Sequence, residues 1–545
     1  MRLVLLLLAI AGAKSTGKET RPQIYSLHVQ SDIHYRYAHT LVTSKIANPS
    51  NFSQEVTFTV VLPDTAFISG FLIEDEDSVY NAYVKEKKAA KKEYAEAVKN
   101  GRTAAHVSLR ARNSNLFAVS VNVRALKKVA FNLTYEELLT RKLGVYKHVI
   151  NLDPGQIVQD LSVQVNIQEF SRISYLEVPA FKTGSEVFED PNQDVGPSPL
   201  ARILRSQPYT AVVRWEPTPE QQEELALKGV RGQLVVKYDV DREQYPQQIL
   251  VNDGYFVHFF APPDLPPLQK HVIFVLDISG SMTGRKIRQL KEAMNKTLGD
   301  LRPTDYFSLV RFSGKARVTK AGKRFWKTQN TNAGSRQQQR NPEPMIIFLT
   351  DGEPTEGKTN PNKIVTGITA RNKKVKASIF CLALGNGADF EFLKKLSLRN
   401  SGFARKIFEA SDTAMQLNDF YREVASPLLA NVTFKYLTEQ IDPTSLTQKQ
   451  FYFFYSGSEL VVSGHLQPTT PADFLQYEVK ALSPEGLAYF EPPSRPMVVQ
   501  YEPLDGDKSP GLMERLWAYL IFVCHSFDFV GCGKTGWFKQ PSRDG

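Results

Sequence analysis

Oxygen-bearing side chains follow an apolar run in the stretch VLDISGSMT, residues 275–283. Asp277, Ser279 and Ser281 supply one carboxylate and two hydroxyls at alternate positions, and Asp351 ends a second apolar run in IIFLTDGEP. Carboxylates and hydroxyls are hard oxygen donors, which suit Mg²⁺, Ca²⁺ or Mn²⁺ and do not suit zinc. Four such groups leave coordination positions for water or for a partner's carboxylate. The set therefore predicts a divalent-cation site, and the alternative is a loop of helix-capping residues.

The elements around these residues predict a parallel sheet. Asp277 ends the strand-like run HVIFVLD and Asp351 ends PMIIFLTD, while DYFSLVRF and KASIFCLALG are further strands. These runs alternate with the amphipathic segments KIRQLKEAMNKTLGDL, DFEFLKKLSL and TAMQLNDFYREVASPLL. The first of these carries Ile287, Leu290, Met294, Leu298 and Leu301 on one helical face. Alternating strands and helices predict a sheet covered on both faces, which binds ligands beyond the carboxyl ends of its strands.

The amino-terminal half has a different sequence pattern, in which strands predominate. From about Tyr25 to Asp153 short alternating runs such as EVTFTVVLP, LFAVSVNV and KVAFNLTY predict strands. Between them NAYVKEKKAAKKEYAEAVKNG, residues 81–101, predicts a docked lysine-rich helix. Further strands are predicted at LSVQVNIQEF, TAVVRWEP, QLVVKYDV and YFVHFFAP, before a proline-containing linker, APPDLPPLQK.

Composition is that of a globular protein of several domains. The 545 residues are 42% hydrophobic and 23% charged, which is ordinary for folded chains and predicts about two to four domains. The net charge of +10 favours acidic partners. Outside the cell these are sulfated or carboxylated polysaccharides rather than nucleic acid. The alternative is a basic surface that is only solvated.

The first residues have the pattern of a secretory signal peptide. Arg2 precedes the apolar run Leu3 to Ile10, and Ala11-Gly12-Ala13 is a small-residue cleavage pattern, so residues 1–13 are predicted to be removed. No run approaches the roughly 20 apolar residues of a membrane span, and we expect a secreted protein without one. Glycosylation sequons occur at Asn51, Asn132, Asn295 and Asn431. Strand alternation predicts that Asn132 and Asn431 point outward.

Three cysteines are too few for a disulfide scaffold. Cys381 lies in the apolar run SIFCLALG, which predicts a buried core thiol. Cys524 and Cys532 either pair in an oxidising compartment or are accidents of a shifted exon boundary.

The stretch GEPTEGKT, residues 352–359, matches the pattern of a phosphate-binding loop. Glu353 and Glu356 would repel phosphate, Pro354 lacks the N–H that the loop needs, and Asn360-Pro361 separates the lysine from the helix that it should open. We therefore expect no nucleotide binding. A hydrolase is the competing function class, although no nucleophile with a placed base is identifiable among the nine histidines and their neighbours.

The site pattern resembles a von Willebrand factor A domain with its metal-ion-dependent adhesion site. The blocks AYVKEKKAAKKEY, DFYREVASPLL, GSELVVSGHL and MERLWAYL extend the resemblance to the inter-alpha-trypsin inhibitor heavy chains, from about residue 24 to 520. The resemblance implies a leading vault-protein inter-alpha-trypsin (VIT) domain and metal ligands at Asp277, Ser279, Ser281 and Asp351. It further implies a secreted protein, not an enzyme, that binds and stabilises hyaluronan-rich matrix, contacts other matrix proteins, and associates with bikunin, a Kunitz-type serine protease inhibitor bearing chondroitin sulfate.

The expected fold is multidomain, with β-rich and β-sandwich-like segments and one doubly wound α/β domain. Its predicted parts are a signal peptide (1–13), the VIT domain (24–153), a β-rich connecting segment (154–268), the A domain (269–430), a second β-rich segment (431–512), and a helix start with an atypical tail (513–545).

Two departures from the family pattern modify these expectations. The A domain lacks an internal segment near 320–344, which leaves Thr331 as the candidate for a fifth ligand and predicts a weakened metal site. No Asp-Pro-His-Phe, the motif at which family members become coupled to hyaluronan by an ester, occurs in the sequence. The resemblance therefore implies non-covalent contact with hyaluronan only. The remaining alternative is a non-functional splice product.

Overall fold

The computed structural model describes residues 21–63, 65–75, 79–81, 104–109, 116–183, 196–243, 246–323, 342–355, 357–385, 387–407, 413–471, 474–490, 497–498 and 511–526. The predicted signal peptide, all but the first residue of the lysine-rich helix, Thr331, and Cys532 lie outside these ranges. The chain divides into two compact units. One comprises Met1–Leu139, His148–Arg172 and Leu176–Lys237, and the other comprises Thr140–Lys147, Ile173–Tyr175 and Tyr238–Gly545.

The strands in chain order are β1 (Gln23–His34), β2 (Tyr37–Ala47), β3 (Gln54–Val61), β4 (Phe67–Asp75), β5 (Val79–Asn81), β6 (Ala104–Leu109), β7 (Leu116–Val123), β8 (Lys128–Leu138), β9 (Arg141–Lys142), β10 (Val145–Leu152), β11 (Asp160–Gln168), β12 (Ile173–Glu177), β13 (Lys182–Thr183), β14 (Ala201–Gln207), β15 (Thr210–Trp215), β16 (Gly232–Val240), β17 (Gln247–Asn252), β18 (Tyr255–Phe260), β19 (Lys270–Asp277), β20 (Tyr306–Phe312), β21 (Ala316–Lys323), β22 (Glu343–Thr350), β23 (Ser378–Leu384), β24 (Ala404–Ile407), β25 (Pro427–Tyr436), β26 (Gln450–Tyr455), β27 (Leu460–His465), β28 (Tyr477–Ser483), β29 (Gly486–Phe490) and β30 (Met497–Val498). The α-helices are α1 (Pro219–Leu225), α2 (Arg285–Gly299), α3 (Pro361–Val375), α4 (Phe390–Leu398), α5 (Thr413–Val424) and α6 (Leu512–Ser526). None of these helices is long and apolar enough to cross a bilayer.

The first unit is built on an eight-stranded sheet in the order β14-β15-β11-β1-β2-β8-β4-β5. Strand β1 pairs antiparallel with β2 and parallel with β11. In β8 the alternation predicted from KVAFNLTY is confirmed, because Val129, Phe131 and Leu133 are buried and Asn132 lies on the other face. A smaller sheet of this unit has the order β3-β7-β6.

The α/β sheet has the order β21-β20-β19-β22-β23-β24. All neighbouring strands are parallel except β21, which runs antiparallel to β20 at the edge. Side chains of α2 and α5 share one core with Phe274 and Phe380, and those of α3 and α4 share another with Cys381. Helices on both faces confirm the predicted doubly wound fold.

Burial on the α3 and α4 side of this sheet is uneven. Strand β23 is buried along its whole length, whereas Ile273, Val275, Ile346 and Phe348 are only half-buried. The A domain is predicted to lack a segment near residues 320–344, and most of these residues are outside the described ranges. That prediction therefore stays untested.

One predicted helix ends earlier than its apolar pattern suggests. Helix α5 stops at Val424, not at Leu429, and Pro427 already opens β25. Proline has no N–H for a helical hydrogen bond, and its ring disfavours a helical conformation in the residue before it.

The second unit also contains two further sheets with a common core, in the orders β27-β18-β17-β30 and β26-β25-β28-β29. Phe256 and Phe260 from β18 pack there with Phe434 and Phe454. Strands β17 and β18 precede the α/β sheet in the chain, whereas β25 to β29 follow it. The α/β segment is therefore inserted between strands of one sandwich.

Candidate metal centre

Sheet register brings the two acidic strand ends together. Strands β19 and β22 are parallel neighbours, with Leu276 opposite Leu349. Asp277 is the last residue of β19, and Asp351 directly follows Thr350, the last residue of β22. Because parallel strands end at the same edge of a sheet, both carboxylates lie at its carboxyl edge.

Both oxygens of Asp277 accept hydrogen bonds. Oδ1 accepts from the backbone N–H of Ser279 at 2.8 Å, which closes an Asx turn. Oδ2 accepts from the Thr350 hydroxyl at 2.7 Å. The residue is 4% exposed, so these contacts hold its carboxylate in one orientation at the end of β19.

The loop after β19 places the two serines above the carboxylates. Residues Gly280–Met282 form one turn of 3₁₀ helix, and Gly284 then adopts a φ of 81° before α2 begins. A left-handed φ is accessible to glycine without a steric cost, so this position allows the abrupt change of direction. The hydroxyls of Ser279 and Ser281 are 3.0 Å apart.

Asp351 is shared between the loop and helix α2. Its Oδ1 accepts from the Ser281 hydroxyl at 2.8 Å, and its Oδ2 accepts from the Lys286 ammonium at 2.8 Å. The four predicted ligands therefore converge, while Lys286 adds a positive charge that the sequence pattern did not single out. Its place in GRKI, on the first turn of α2, was the available signal.

The donor set fits a hard divalent cation. It consists of two buried carboxylates and two hydroxyls. The exposed Ser281 hydroxyl contacts both Ser279 and Asp351, and Asp277 contacts the backbone of Ser279. Within the described part of the chain, no three or more His, Cys, Asp and Glu side chains group as metal ligands. This is consistent with the set, because serine hydroxyls supply half of it.

The predicted glycosylation residues lie at accessible positions. Asn51, Asn295 and Asn431 are exposed. Asn132 is half-buried on the outer sheet face, where its Oδ1 accepts from the Thr43 hydroxyl at 2.8 Å. Their modification stays a prediction.

The structure tests the prediction for one cysteine and leaves the predicted pair untested. Cys381 is a free, fully buried thiol, as predicted, and burial raises its pKa to about 12. Cys524 belongs to α6 and Cys532 lies outside the described residues, so their pairing stays a prediction.

The stretch resembling a phosphate-binding loop does not run into a helix. Asn360 caps α3 by accepting from the N–H of Lys363, and Pro361 is its first residue. Lys358 and Thr359 therefore precede the cap rather than open the helix. The predicted separation of the lysine from a helix start is therefore present, and the lack of nucleotide binding stays a prediction.

A serine–histidine–glutamate chain that the sequence did not reveal lies in the first unit. Nε2 of His148 forms a 2.8 Å hydrogen bond with the Ser31 hydroxyl. Nδ1 of the same ring lies 2.8 Å from Oε1 of Glu137. These are the contacts of a nucleophilic triad. All three side chains are buried, however, and Ser31 and His148 have no exposed surface. A substrate cannot reach the hydroxyl in this arrangement. The inward phase of His148 in the alternating strand VYKHVINL was the sequence signal.

Two parts of the chain match known domain families. Residues 24–135 match the family described as vault protein inter-alpha-trypsin domain, and residues 272–353 match the von Willebrand factor type A domain. The inter-alpha-trypsin inhibitor heavy chain H4 of Homo sapiens is 38% identical over 561 aligned positions, which cover 95% of this chain and 58% of that protein.

Two further relatives are similar over most of this chain. The inter-alpha-trypsin inhibitor heavy chain H6 of Homo sapiens is 39% identical, with 83% of this chain and 37% of that protein covered. The heavy chain H3 of Homo sapiens is 37% identical, with 83% and 54% covered. The chain thus spans between 37% and 58% of the length of these relatives. With both domains in order and this identity across most of its residues, the chain belongs to the inter-alpha-trypsin inhibitor heavy chain family.

Proposed function

We propose that this chain is a secreted, cation-dependent binding protein of the extracellular matrix, which binds hyaluronan and associates with bikunin. Membership of the heavy-chain family supports this function, as does the net charge of +10, which favours acidic polysaccharides. The matrix proteins and the chondroitin sulfate of bikunin are further proposed partners.

The observation that carries the proposal is the convergence of Asp277, Ser279, Ser281 and Asp351 at one sheet edge. These residues would hold Mg²⁺, Mn²⁺ or Ca²⁺, and the bound cation would supply a positive centre for a carboxylate of the partner. Thr350 fixes the orientation of Asp277, and the Asx turn fixes the loop. Ser281, exposed at the site, stands where a partner approaches.

A hydrolase is less well supported. Helix α3 begins at Pro361 rather than at Lys358, and the Ser31–His148–Glu137 chain is buried. The von Willebrand factor type A domain is an interaction domain, and the oxygen donors at its ligand edge contact one another through Ser281. We therefore propose binding rather than catalysis.

Retention on immobilised hyaluronan tests this function. Wild type is expected to be retained more strongly in Mg²⁺ than in EDTA, and Asp277→Ala is expected to abolish the difference, because the loop then loses its anchoring carboxylate. Glu292→Ala, an exposed carboxylate on α2, is the control with the same charge change. Equal retention of wild type in Mg²⁺ and EDTA would refute cation dependence, and binding of ATP would favour the hydrolase.

A further inference from the structure

Helix α3 presents an unusual concentration of positive charge. Its sequence, PNKIVTGITARNKKV, contains Lys363, Arg371, Lys373 and Lys374 and no acidic residue, and Lys376 caps its carboxyl end. All five basic side chains are exposed. In the part of the chain that the structure describes, none of the five forms an ion pair with a carboxylate.

Helix stability explains only part of this charge. Lys373 and Lys374 lie in the last turn, where a cation interacts favourably with the helix dipole. Lys363 lies in the first turn, where the dipole is positive and an acidic residue would stabilise the helix. A lysine there therefore adds to the positive potential of the helix amino terminus at some cost in stability.

Helix α4 adds further positive charge beside the same end. The Lys395 ammonium donates to Asn362 Oδ1 at 2.9 Å, so it lies against the first turn of α3. Farther along, the Asn400 side chain bonds Thr369 at 3.1 Å and Asn372 at 2.9 Å, which holds the end of α4 against α3. The two helices consequently form one basic face, defined by Lys363, Arg371, Lys373, Lys374, Lys376 and Lys395.

The shape and chemistry of this basic face favour an extended anion. Lys363, Arg371 and Lys374 recur on one side of α3, and 11 residues at 1.5 Å each separate the first from the last by about 16 Å. The one exposed large apolar side chain described on these two helices is Val375. Stacking of unpaired bases requires exposed aromatic rings, and insertion into a lipid surface requires an apolar helix face. The basic face offers neither.

The opposite side of the sheet carries the nearest sequon. Asn295 lies on α2, whose side chains share a core with α5, whereas α3 and α4 cover the other sheet face. A glycan at Asn295 would leave the basic face open.

We propose that the basic face of α3 and α4 binds a linear anionic polysaccharide by charge, without a divalent cation. The ligand class rests on the proposed function, but the surface is separate from Asp277 and Asp351. Repeating carboxylates or sulfates along the polymer would each meet a lysine or arginine along α3, and the interaction would weaken as salt screens it.

The test compares two charge-matched triple variants in EDTA at low salt. Lys363→Gln/Arg371→Gln/Lys374→Gln removes three charges from the basic face. Arg288→Gln/Lys291→Gln/Lys296→Gln removes three from exposed positions of α2. Binding to hyaluronan and to chondroitin sulfate is measured separately, which distinguishes a carboxylated from a sulfated ligand. We expect the first variant to bind about tenfold more weakly than wild type and the second to remain within about twofold.

Any other result would contradict either the surface or the ligand class that we propose. Equal loss in both variants would mean that net charge alone drives binding, and no loss in the first would overturn the surface assignment. Tighter, α3-dependent binding to single-stranded RNA or to phosphatidylserine vesicles would overturn the polysaccharide assignment. The proposed function is tested by a different result. It would be contradicted if wild type showed no cation-dependent retention on hyaluronan, whatever the α3 variant does in EDTA. Circular dichroism of both variants establishes that each is folded.

Discussion

At the scale of single residues, both carboxylates of the proposed metal site already have hydrogen-bond partners. Asp277 accepts from Ser279 and Thr350, and Asp351 accepts from Ser281 and Lys286. Three of these contacts orient the ligands. The fourth places an ammonium 2.8 Å from an oxygen that a cation would need. Lys286 is therefore expected to compete with the metal.

Replacing Lys286 by glutamine should strengthen cation binding by about tenfold, because a divalent ion no longer has to displace a positive charge from Asp351. Calorimetric titration of Mg²⁺ or Mn²⁺ into wild type and Lys286→Gln measures the difference. Lys291→Gln, on the exposed face of α2, controls for the change in net charge. Asp277→Ala should give no binding heat. An affinity of Lys286→Gln equal to that of wild type would show that the ammonium does not compete.

At the scale of elements, the sandwich around the inserted α/β sheet is joined by a buried histidine. His258 on β18 bonds Tyr436 of β25 through Nδ1 at 2.9 Å and Gln247 of β17 through Nε2 at 3.2 Å. Tyr477 packs against its ring with centroids 4.5 Å apart. All these partners are neutral, and burial lowers the pKa of His258 to about 3.

This lowered pKa predicts a loss of stability in acid. Below about pH 6.5 the unfolded chain protonates His258 while the folded sandwich does not, so the free energy of unfolding falls as the pH falls towards 3. Between pH 6.5 and pH 4 the contribution of this residue is about 3 kcal/mol. The variant His258→Gln cannot titrate, and its melting temperature should fall less steeply over this range.

Thermal unfolding of wild type and His258→Gln at pH 6.5, 5 and 4 checks this expectation. His39→Gln, at a half-buried histidine on β2, serves as the control for the same substitution elsewhere in the chain. Parallel curves for wild type and His258→Gln would contradict the assignment of the acid sensitivity to His258.

The elements also show how far local patterns extend. Strands β19, β20, β22 and β23 and helix α4 lie where the apolar periodicity predicts them. Helix α3 is not among the predicted helices, because its apolar side is narrow, with Val365 as its single buried residue. Its cap, Asn360-Pro361, was the local signal. Helix α5 was predicted too long, because its apolar pattern continues into β25 without a break in hydrophobicity.

At the scale of the whole molecule, accessibility of the sequons predicts how the protein is processed. Asn51, Asn295 and Asn431 are exposed, whereas the amide of Asn132 is engaged by Thr43. If the chain is secreted as proposed, we expect two or more sites to carry glycans, with Asn51 and Asn431 among them.

Expression in mammalian cells with analysis of the medium tests this prediction. Glycosidase treatment should increase the gel mobility of wild type, and the shift should shrink in Asn51→Gln/Asn431→Gln. Asn166→Gln, an asparagine outside any sequon, is the control. Absence of a mobility change in wild type, or of the protein from the medium, would contradict secretion with glycosylation.

Local sequence patterns were sufficient to identify the oxygen donors of the proposed metal site and the strands that carry them. Asp277, Ser279, Ser281 and Asp351 are recognisable because donor type and strand ends are local properties, and parallel strands must end together. Burial of Val129, Phe131 and Leu133 follows from strand alternation in the same way. Such patterns report the solvent exposure of each face, which depends on residues a few positions apart.

Contacts between residues far apart in the chain became visible in the folded structure. Lys286 reaches Asp351 across 65 positions, and the Ser463 hydroxyl donates to the carbonyl of Phe256 across 207. Ser31 and His148 form a buried hydrogen bond rather than an accessible catalytic pair. Each of these contacts depends on strand order and sheet packing. Those are set by how all the apolar faces of a unit are buried together, and no short stretch of sequence contains that information.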